Sequence, residues 1–137
     1  MRIFLDSSAL VKRYILESGT EEVLEVCKEA DEIIISVICI PEIISAFNRI
    51  IRDGKLSLED YKKIKIDIFK DIEQATIIEL SEKTIHESVI SLEQCSLRAM
   101  DAIHIGSALI CRPDLFLSSD SRQCDCAVKR NLNVKKI

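Results

Sequence analysis

Glycine, proline and aromatic residues are scarce in this sequence of 137 residues, which holds 3 Gly, 2 Pro and 4% aromatics. So little Gly and Pro leaves no composition typical of flexible linkers, and we find no low-complexity segment or internal repeat. With 47% hydrophobic and 31% charged residues, a packed core is expected and disorder is not. A chain of this length predicts a single domain that spans residues 1–137.

Long apolar runs are also missing. The longest stretches, such as IIISVICI at residues 33–40, are too short to cross a bilayer, for which about 20 residues are needed. No secretory signal peptide is expected, because Asp6 interrupts the first apolar run. These absences predict a cytoplasmic protein without a membrane partner.

An excess of positive charge is the third absence, since the net charge is −4. This balance argues against a protein that coats nucleic acid non-specifically. It leaves open a protein that handles nucleic acid locally, at a site charged by a metal ion. The few aromatic side chains argue against base-stacking platforms of the kind that bind single strands.

Six cysteines are present and would suffice for three disulfides, but their positions favour reduced thiols. Cys27, Cys39, Cys95 and Cys111 fall at apolar positions of predicted helices or strands, where a thiol packs as a small hydrophobic group. The remaining two form a single C-x-C pair, Cys124 and Cys126, without the second pair typical of a zinc site. We therefore expect neither a disulfide framework nor bound zinc.

Predicted strands and helices alternate along the chain. The strands are expected at residues 2–6, 32–36, 76–80, 114–119 and 132–137. The helices are expected at residues 8–15, 19–31, 41–53, 57–74, 81–95, 97–111 and 120–131, with serine caps at 57 and 81. This alternation predicts an α/β fold: a three-layer α/β/α sandwich with a mainly parallel central sheet of four to five strands.

Four carboxylates stand near the junctions of these elements. Asp6 and Asp120 each end a strand and begin a helix, and Glu42 lies early in the helix after the second strand. Asp101 lies near the first turn of the helix before the fourth strand. Ligands of open α/β sheets bind at the carboxyl ends of the strands. We therefore expect the four acids to converge at that edge.

Convergence of four acids requires a compensating cation. Two carboxylates about 4 Å apart repel by roughly 4 kcal/mol at an effective dielectric near 20. Mg²⁺ or Mn²⁺ removes this cost, because both ions take oxygen ligands from carboxylates. Asp6 is thus placed to hold a metal ion, and Ser7 or Ser8 to support it by hydrogen bonds.

Each acid also has a simpler interpretation. Asp6 and Asp120 would serve as helix N-caps, and Glu42 would favour the helix dipole. Asp101 is harder to explain this way, because its neighbours Met100 and Ala102 are apolar and an unpaired buried charge is costly.

The order of four motifs resembles that of the PIN-domain ribonucleases, and among them the toxins of VapBC-type toxin–antitoxin pairs. The motifs are IFLDSSALVKRY, SVICIPEIISAFNR, LRAMDAIHIGSAL and LFLSSDSRQ, and they extend over nearly the whole chain. Each motif carries one of the four acids. Any one of them is a weak signal, whereas the four in this order and context are fairly specific.

The resemblance implies a metal-dependent endoribonuclease. In the family, acids matching Asp6, Glu42, Asp101 and Asp120 bind one or two Mg²⁺ or Mn²⁺ ions and activate a water that cleaves the RNA phosphodiester bond. A hydroxyl matching Ser118, usually a threonine, stands just before the last acid. The resemblance also implies an antitoxin partner.

Several roles stay open. His104 lies three residues after Asp101, and a packed, hydrogen-bonded ring is favoured over a metal ligand because Mg²⁺ prefers oxygen. A solvated surface role is favoured for each of the basic residues near the motifs. These are Lys12, Arg13, Arg49, Arg98 and Arg122.

The function also has open alternatives. A catalytically silent binding or scaffold module would keep the fold without the activity, and a housekeeping RNA-processing nuclease would lack the antitoxin. An aspartyl-phosphate phosphatase fits poorly, because Ser8 stands where such enzymes have a second acid. If the protein is a toxin, residues 43–63 are the expected region of an antitoxin groove, and a homodimer is expected.

Overall fold

The computed structural model describes all 137 residues. Strands and helices alternate, and each predicted element is present. In chain order they are β1 (Arg2–Leu5), α1 (Ser7–Val11), α2 (Thr20–Glu29), β2 (Glu32–Ser36), α3 (Cys39–Arg52), α4 (Leu58–Gln74), β3 (Thr76–Ile78), α5 (Glu82–Gln94), α6 (Ala99–Cys111), β4 (Leu115–Ser118), α7 (Ser121–Lys129) and β5 (Val134–Lys136).

The five strands form one sheet in the order β3-β2-β1-β4-β5, and all neighbours are parallel. Phe4 in β1 stands opposite Ile34 on one side and Phe116 on the other. From β1 the chain builds outward through β2 and β3, then returns to add β4 and β5 on the other side. The boundary between β1 and β4 is therefore the topological switch point, where ligands of such sheets bind.

Alternation of side chains along β1 divides the core into two halves. Ile3 and Leu5 pack against α1, α2, α3 and α4, whereas Phe4 points to the opposite face and packs against α6 and α7. Helix α5 covers α6 from outside. The predicted three-layer α/β/α sandwich is confirmed, and its sheet is fully parallel.

Local signals in the sequence set several helix ends. The hydroxyl of Ser57 accepts the Asp60 amide at 3.1 Å, and that of Ser81 accepts the Thr84 amide at 3.2 Å, so both predicted caps are confirmed. Gly54 follows α3 with φ of 72°, a left-handed conformation that glycine adopts without steric cost.

Helix α1 is shorter than predicted, because it ends at Val11 and not at Ile15. The next three amides bond to carbonyl groups three residues back at 3.1–3.2 Å, which tightens the backbone into turns. Lys12 is buried there, and its Nζ donates to the Ser18 carbonyl at 2.7 Å and to Glu17 at 3.0 Å. The expectation of a solvated Lys12 is therefore wrong.

One pair of cysteines is oxidised, contrary to the expectation from sequence. Cys95, the C-cap of α5, forms a disulfide with Cys126 of α7, and their Cα atoms are 5.8 Å apart. The two residues lie 31 positions apart, and only the packing of α5, α6 and α7 brings them together. The other four cysteines are free thiols, buried or half-buried, as predicted.

None of the helices combines the length and the hydropathy needed to traverse a lipid bilayer.

Candidate active site

A cleft of about 580 Å³ opens at the carboxyl edge of the sheet, beside the switch point between β1 and β4. The side chains that line it are mostly polar. They include Asp6, Ser7, Ser8, Glu42, Ser45, Arg49, Arg98, Asp101, His104, Ser119, Asp120 and Gln123. The structure thus brings all four acids of the sequence motifs to one cleft.

Asp6 lies at the base of the cleft and is fully buried. It caps α1, since its Oδ1 accepts the Ala9 amide at 2.8 Å, and both carboxylate oxygens lie 2.8 Å from the Ser8 hydroxyl. Burial raises the pKa of Asp6, and the charge of His104 and the hydrogen bonds from Ser118, Ala9 and Ser8 oppose that rise. Asp6 is therefore both the N-cap of α1 and a carboxylate of the cleft.

Ser118 and Ser8 connect the ends of β4 and β1. The Ser118 hydroxyl donates to Asp6 Oδ2 at 2.7 Å and accepts the Asp120 amide at 3.0 Å. The Ser8 hydroxyl accepts the Ser119 amide at 2.9 Å. These bonds hold the two strand ends together across 112 residues of sequence.

Glu42 reaches the cleft from the first turn of α3 and pairs with His104 of α6. Glu42 Oε2 lies 2.6 Å from His104 Nε2, and the Ser7 hydroxyl donates to the same oxygen. Burial alone would raise the pKa of Glu42, but the hydrogen bond and charge of His104, with the Ser7 bond, hold it below its usual value. His104 is a buried, hydrogen-bonded ring, as predicted.

Asp101 and Asp120 form the opposite side of the cleft. Asp101 Oδ2 accepts from Arg98 Nε at 3.2 Å, and Oδ1 accepts from the Gln123 side-chain amide at 3.1 Å. Asp120 caps α7 through the Gln123 main-chain amide at 3.0 Å. Gln123 thus contacts two of the four acids.

Sequence reasoning missed Gln123 as a member of this site. Gln123 follows Asp120 by three residues, a spacing that places the two near each other on one helix. This spacing is the sequence signal that could have identified Gln123 as part of the site. Its contact with Asp101 depends on how α6 and α7 pack, which the sequence pattern does not show.

Cationic side chains flank the acids. Arg49 and Arg98 line the cleft itself, and Arg122 stands beside Asp101 and Asp120 in an adjoining depression. Arg13 lies elsewhere, where its Nη2 pairs with Asp71 at 2.8 Å. The cleft and the depression beside it therefore combine acidic side chains with exposed guanidinium groups.

The donor set suits a hard dication, although no three acidic, histidine or cysteine side chains are close enough to form a complete metal site. Each carboxylate is turned to a protein donor: hydroxyls for Asp6, the imidazole for Glu42 and an amide for Asp101. Carboxylate and hydroxyl oxygens are the ligands that Mg²⁺ and Mn²⁺ prefer. The fully buried Asp6 is also a negative charge that the nearby protein groups only partly offset.

Comparison with known proteins identifies the family that has this parallel α/β fold and an acidic cleft at its switch point. The family model described as PIN domain matches residues 3–129, and the chain belongs to that family. PIN nucleases generally use divalent metal ions, which agrees with the donors in the cleft. No curated protein matches the sequence.

Solved structures extend the comparison at the level of the fold. A toxin–antitoxin complex from Klebsiella pneumoniae is similar at 16% identity, with a TM-score of 0.66 and 88% of each chain covered. VapBC2 from Rickettsia felis, bound to a promoter DNA fragment, is similar at 17% identity, with a TM-score of 0.67 and coverage of 100% of this chain and 99% of that one. VapC20 from Mycobacterium tuberculosis, a sarcin–ricin loop cleaving toxin, is similar at 10% identity, with a TM-score of 0.67 and coverage of 88% of this chain and 92% of that one.

Proposed function

We propose that this PIN domain is a metal-dependent endoribonuclease that hydrolyses RNA phosphodiester bonds. The supporting observation is that four acids, two at strand ends and two in the first turns of α3 and α6, line one cleft at the switch point. We assign metal binding to Asp6, Glu42, Asp101 and Asp120, with Mg²⁺ or Mn²⁺ as the ion. When bound, such an ion lowers the pKa of water and neutralises charge on the scissile phosphate.

The protein groups around the acids have distinct tasks in this proposal. Ser8 and Ser118 orient Asp6 through their hydroxyls, and Ser7 with His104 orients Glu42. These contacts fix the carboxylates before substrate arrives, which reduces the reorganisation needed during reaction.

At the rim of the cleft, Arg49 and Arg98 are placed to bind the phosphates of RNA on either side of the scissile bond. Guanidinium groups suit this task, because they match the phosphate oxygens with paired donors.

We further propose that the protein is the toxin of a toxin–antitoxin pair. Support comes from the similar structures, which include toxin–antitoxin complexes and a sarcin–ricin loop cleaving toxin. In this proposal residues 1–137 act as one domain in the cytoplasm, as a homodimer. Residues 43–63, where Leu58 is 57% exposed, contribute to the groove for an antitoxin segment.

The test of the nuclease is cleavage by purified protein of structured and unstructured RNAs with Mg²⁺ or Mn²⁺. Wild type should cut, and chelation should stop it, whereas Asp6→Asn and Asp101→Asn should not cut. The exposed Asp67→Asn on α4 is the matched control and should cut as wild type does. Equal cleavage by all four proteins would indicate a contaminating nuclease and contradict the proposal.

Two other functions predict different results. A catalytically silent PIN module would bind RNA or protein without metal-dependent cleavage. A housekeeping nuclease would cut RNA, yet its expression would not arrest growth. A toxin should arrest growth, and co-expression with the neighbouring small open reading frame should restore growth and yield a co-purified complex.

A further inference from the structure

Gln123 is a buried polar side chain at the cleft that the proposed function leaves without a task. It is 4% exposed and lies in the first turn of α7. Its side-chain Nε2 donates to Asp101 Oδ1 at 3.1 Å, and its main-chain amide donates to Asp120 Oδ1 at 3.0 Å. Its Oε1 is buried and has no hydrogen-bond partner.

The orientation of this amide follows from its neighbour. An ionised carboxylate only accepts hydrogen bonds, so the NH₂ group of Gln123 must face Asp101 and Oε1 must point away from it. A buried acceptor without a donor destabilises the folded chain. An apolar side chain of similar length would avoid that cost but would leave the buried Asp101 carboxylate without its amide donor, so the glutamine serves that carboxylate.

The other contacts of Asp101 show what the amide does. Asp101 Oδ2 bonds to Arg98, whose side chain is 78% exposed, and an exposed ion pair constrains its partners weakly. Gln123 is the buried partner of the same carboxylate. It also joins α6, which carries Asp101, to α7, which begins at Asp120.

We propose, on the basis of the proposed function, that Gln123 is a positioning residue for dication binding. Its amide fixes the Asp101 carboxylate relative to Asp120. Partners that orient metal ligands in this way typically change metal affinity by about 10–100-fold.

The experiment measures Mn²⁺ affinity by calorimetry in metal-free protein without RNA, together with the thermal midpoint. Gln123→Met keeps the length and removes both polar atoms, so Mn²⁺ affinity should fall by about tenfold or more. The thermal midpoint is measured beside it, so that a loss of Mn²⁺ affinity is distinguished from a loss of folded protein. Gln94→Met, at the exposed end of α5, is the matched control and should match wild type in both measurements.

Gln123→Asn provides a second variant if the first folds poorly. It keeps both polar atoms but is one methylene shorter, which withdraws its amide from Asp101. The Mn²⁺ affinity of this variant should also fall, whereas a residue that serves the fold alone would leave that affinity unchanged.

The outcomes separate this inference from the proposed function. A lower thermal midpoint with unchanged Mn²⁺ affinity in Gln123→Met would overturn the positioning role. If wild type binds Mn²⁺ and Asp101→Asn does not, the metal site stands whatever Gln123 does. If wild type and Asp101→Asn bind Mn²⁺ equally weakly, the proposed function itself fails.

Discussion

At the scale of single residues, the cleft places one carboxylate, that of Asp6, where water cannot reach it. Asp6 has no exposed surface, and its carboxylate relies on two hydroxyls and an amide for stabilisation. Burial is the largest influence on the pKa of Asp6 and raises it. An ionised carboxylate in this position lowers the free energy of unfolding, a cost in stability that is common at functional sites.

Asp6→Asn should therefore stabilise the metal-free protein at neutral pH by about 0.5–2 kcal/mol while it removes activity. Because the folded pKa of Asp6 lies above the unfolded one, wild type loses stability as pH rises between these two values. Below both values Asp6 is neutral in both states, and the difference from the variant should disappear. Denaturant titrations across this pH range check both statements; a constant difference would contradict them.

Ser118 gives a second prediction at this scale. Ser118→Ala leaves the Asp120 amide without its acceptor and Asp6 without one of its donors, so unfolding free energy should fall by about 1–3 kcal/mol. Ser118→Thr keeps the hydroxyl and should retain activity. Chemical denaturation and RNA cleavage of both variants test this, and equal stability of the alanine and threonine variants would refute it.

The sequence predicts residues of this site when their role follows from local position. Asp6 and Asp120 stand at strand ends, so the topology of the sheet directs them to one edge. The roles of Gln123 and Lys12 were not predicted, because helix packing and turns bring their hydrogen-bond partners close. A buried lysine beside a backbone carbonyl leaves no pattern in the sequence.

At the scale of elements, α5 and α6 approach closely at Gly106. A Cβ at this position would stand 2.3 Å from the Ser88 hydroxyl and 2.6 Å from the Thr84 carbonyl oxygen. The carbonyl is part of the α5 backbone and cannot rotate away. The two helices are therefore in contact because position 106 lacks a side chain.

Gly106→Ala should destabilise the protein by about 1–3 kcal/mol, because it forces α5 away from α6. Gly54→Ala is an informative comparison, since nothing lies within 4 Å of its Cβ and its φ of 72° alone opposes alanine. That backbone cost is about 1–2 kcal/mol. Only Gly106→Ala should also disturb α6 and lower RNA cleavage. Thermal unfolding and RNA cleavage of both variants measure these effects.

The disulfide between α5 and α7 gives another prediction for the elements. Reduction of Cys95–Cys126 should lower the unfolding free energy by about 2–4 kcal/mol, since the bond restricts the unfolded chain. Thermal unfolding with and without a dithiol reductant measures this. The double variant Cys95→Ser with Cys126→Ser should match reduced wild type and be insensitive to reductant; a response of that variant would point to another cause.

Boundaries of elements were predictable where a cap or a strand alternation marks them. The serine caps of α4 and α5 act directly on the first amides of each helix. Helix α1 was overestimated, because Lys12 and Arg13 have good helix propensity yet turn toward Ser18 and Asp71. Tertiary contacts outweigh propensity there.

At the scale of the whole molecule, a chain of net charge −4 is proposed to bind a polyanion. Three arginines, Arg49, Arg98 and Arg122, stand at or beside the cleft. If each contacts one phosphate of single-stranded RNA, the logarithm of the binding constant should fall with the logarithm of salt concentration with a slope of about −2.

Arg98→Ala should reduce the size of that slope by about 0.7, because one phosphate contact is lost. RNA binding is best measured in the Asp6→Asn background, so that cleavage does not interfere. Lys28→Ala, an exposed position on α2 outside the cleft, should leave the slope unchanged. An identical slope for Arg98→Ala would show that this arginine does not contact phosphate.

The order of strands also has a consequence for synthesis of the protein. Asp6 receives the Ser118 hydroxyl from a strand that is translated 112 residues later. While the ribosome is still making the chain, the early acids exist without the wall of the cleft that β4 and α7 supply. If the cleft cleaves RNA as proposed, a nascent chain acquires a complete site only after β4 and α7 have been made.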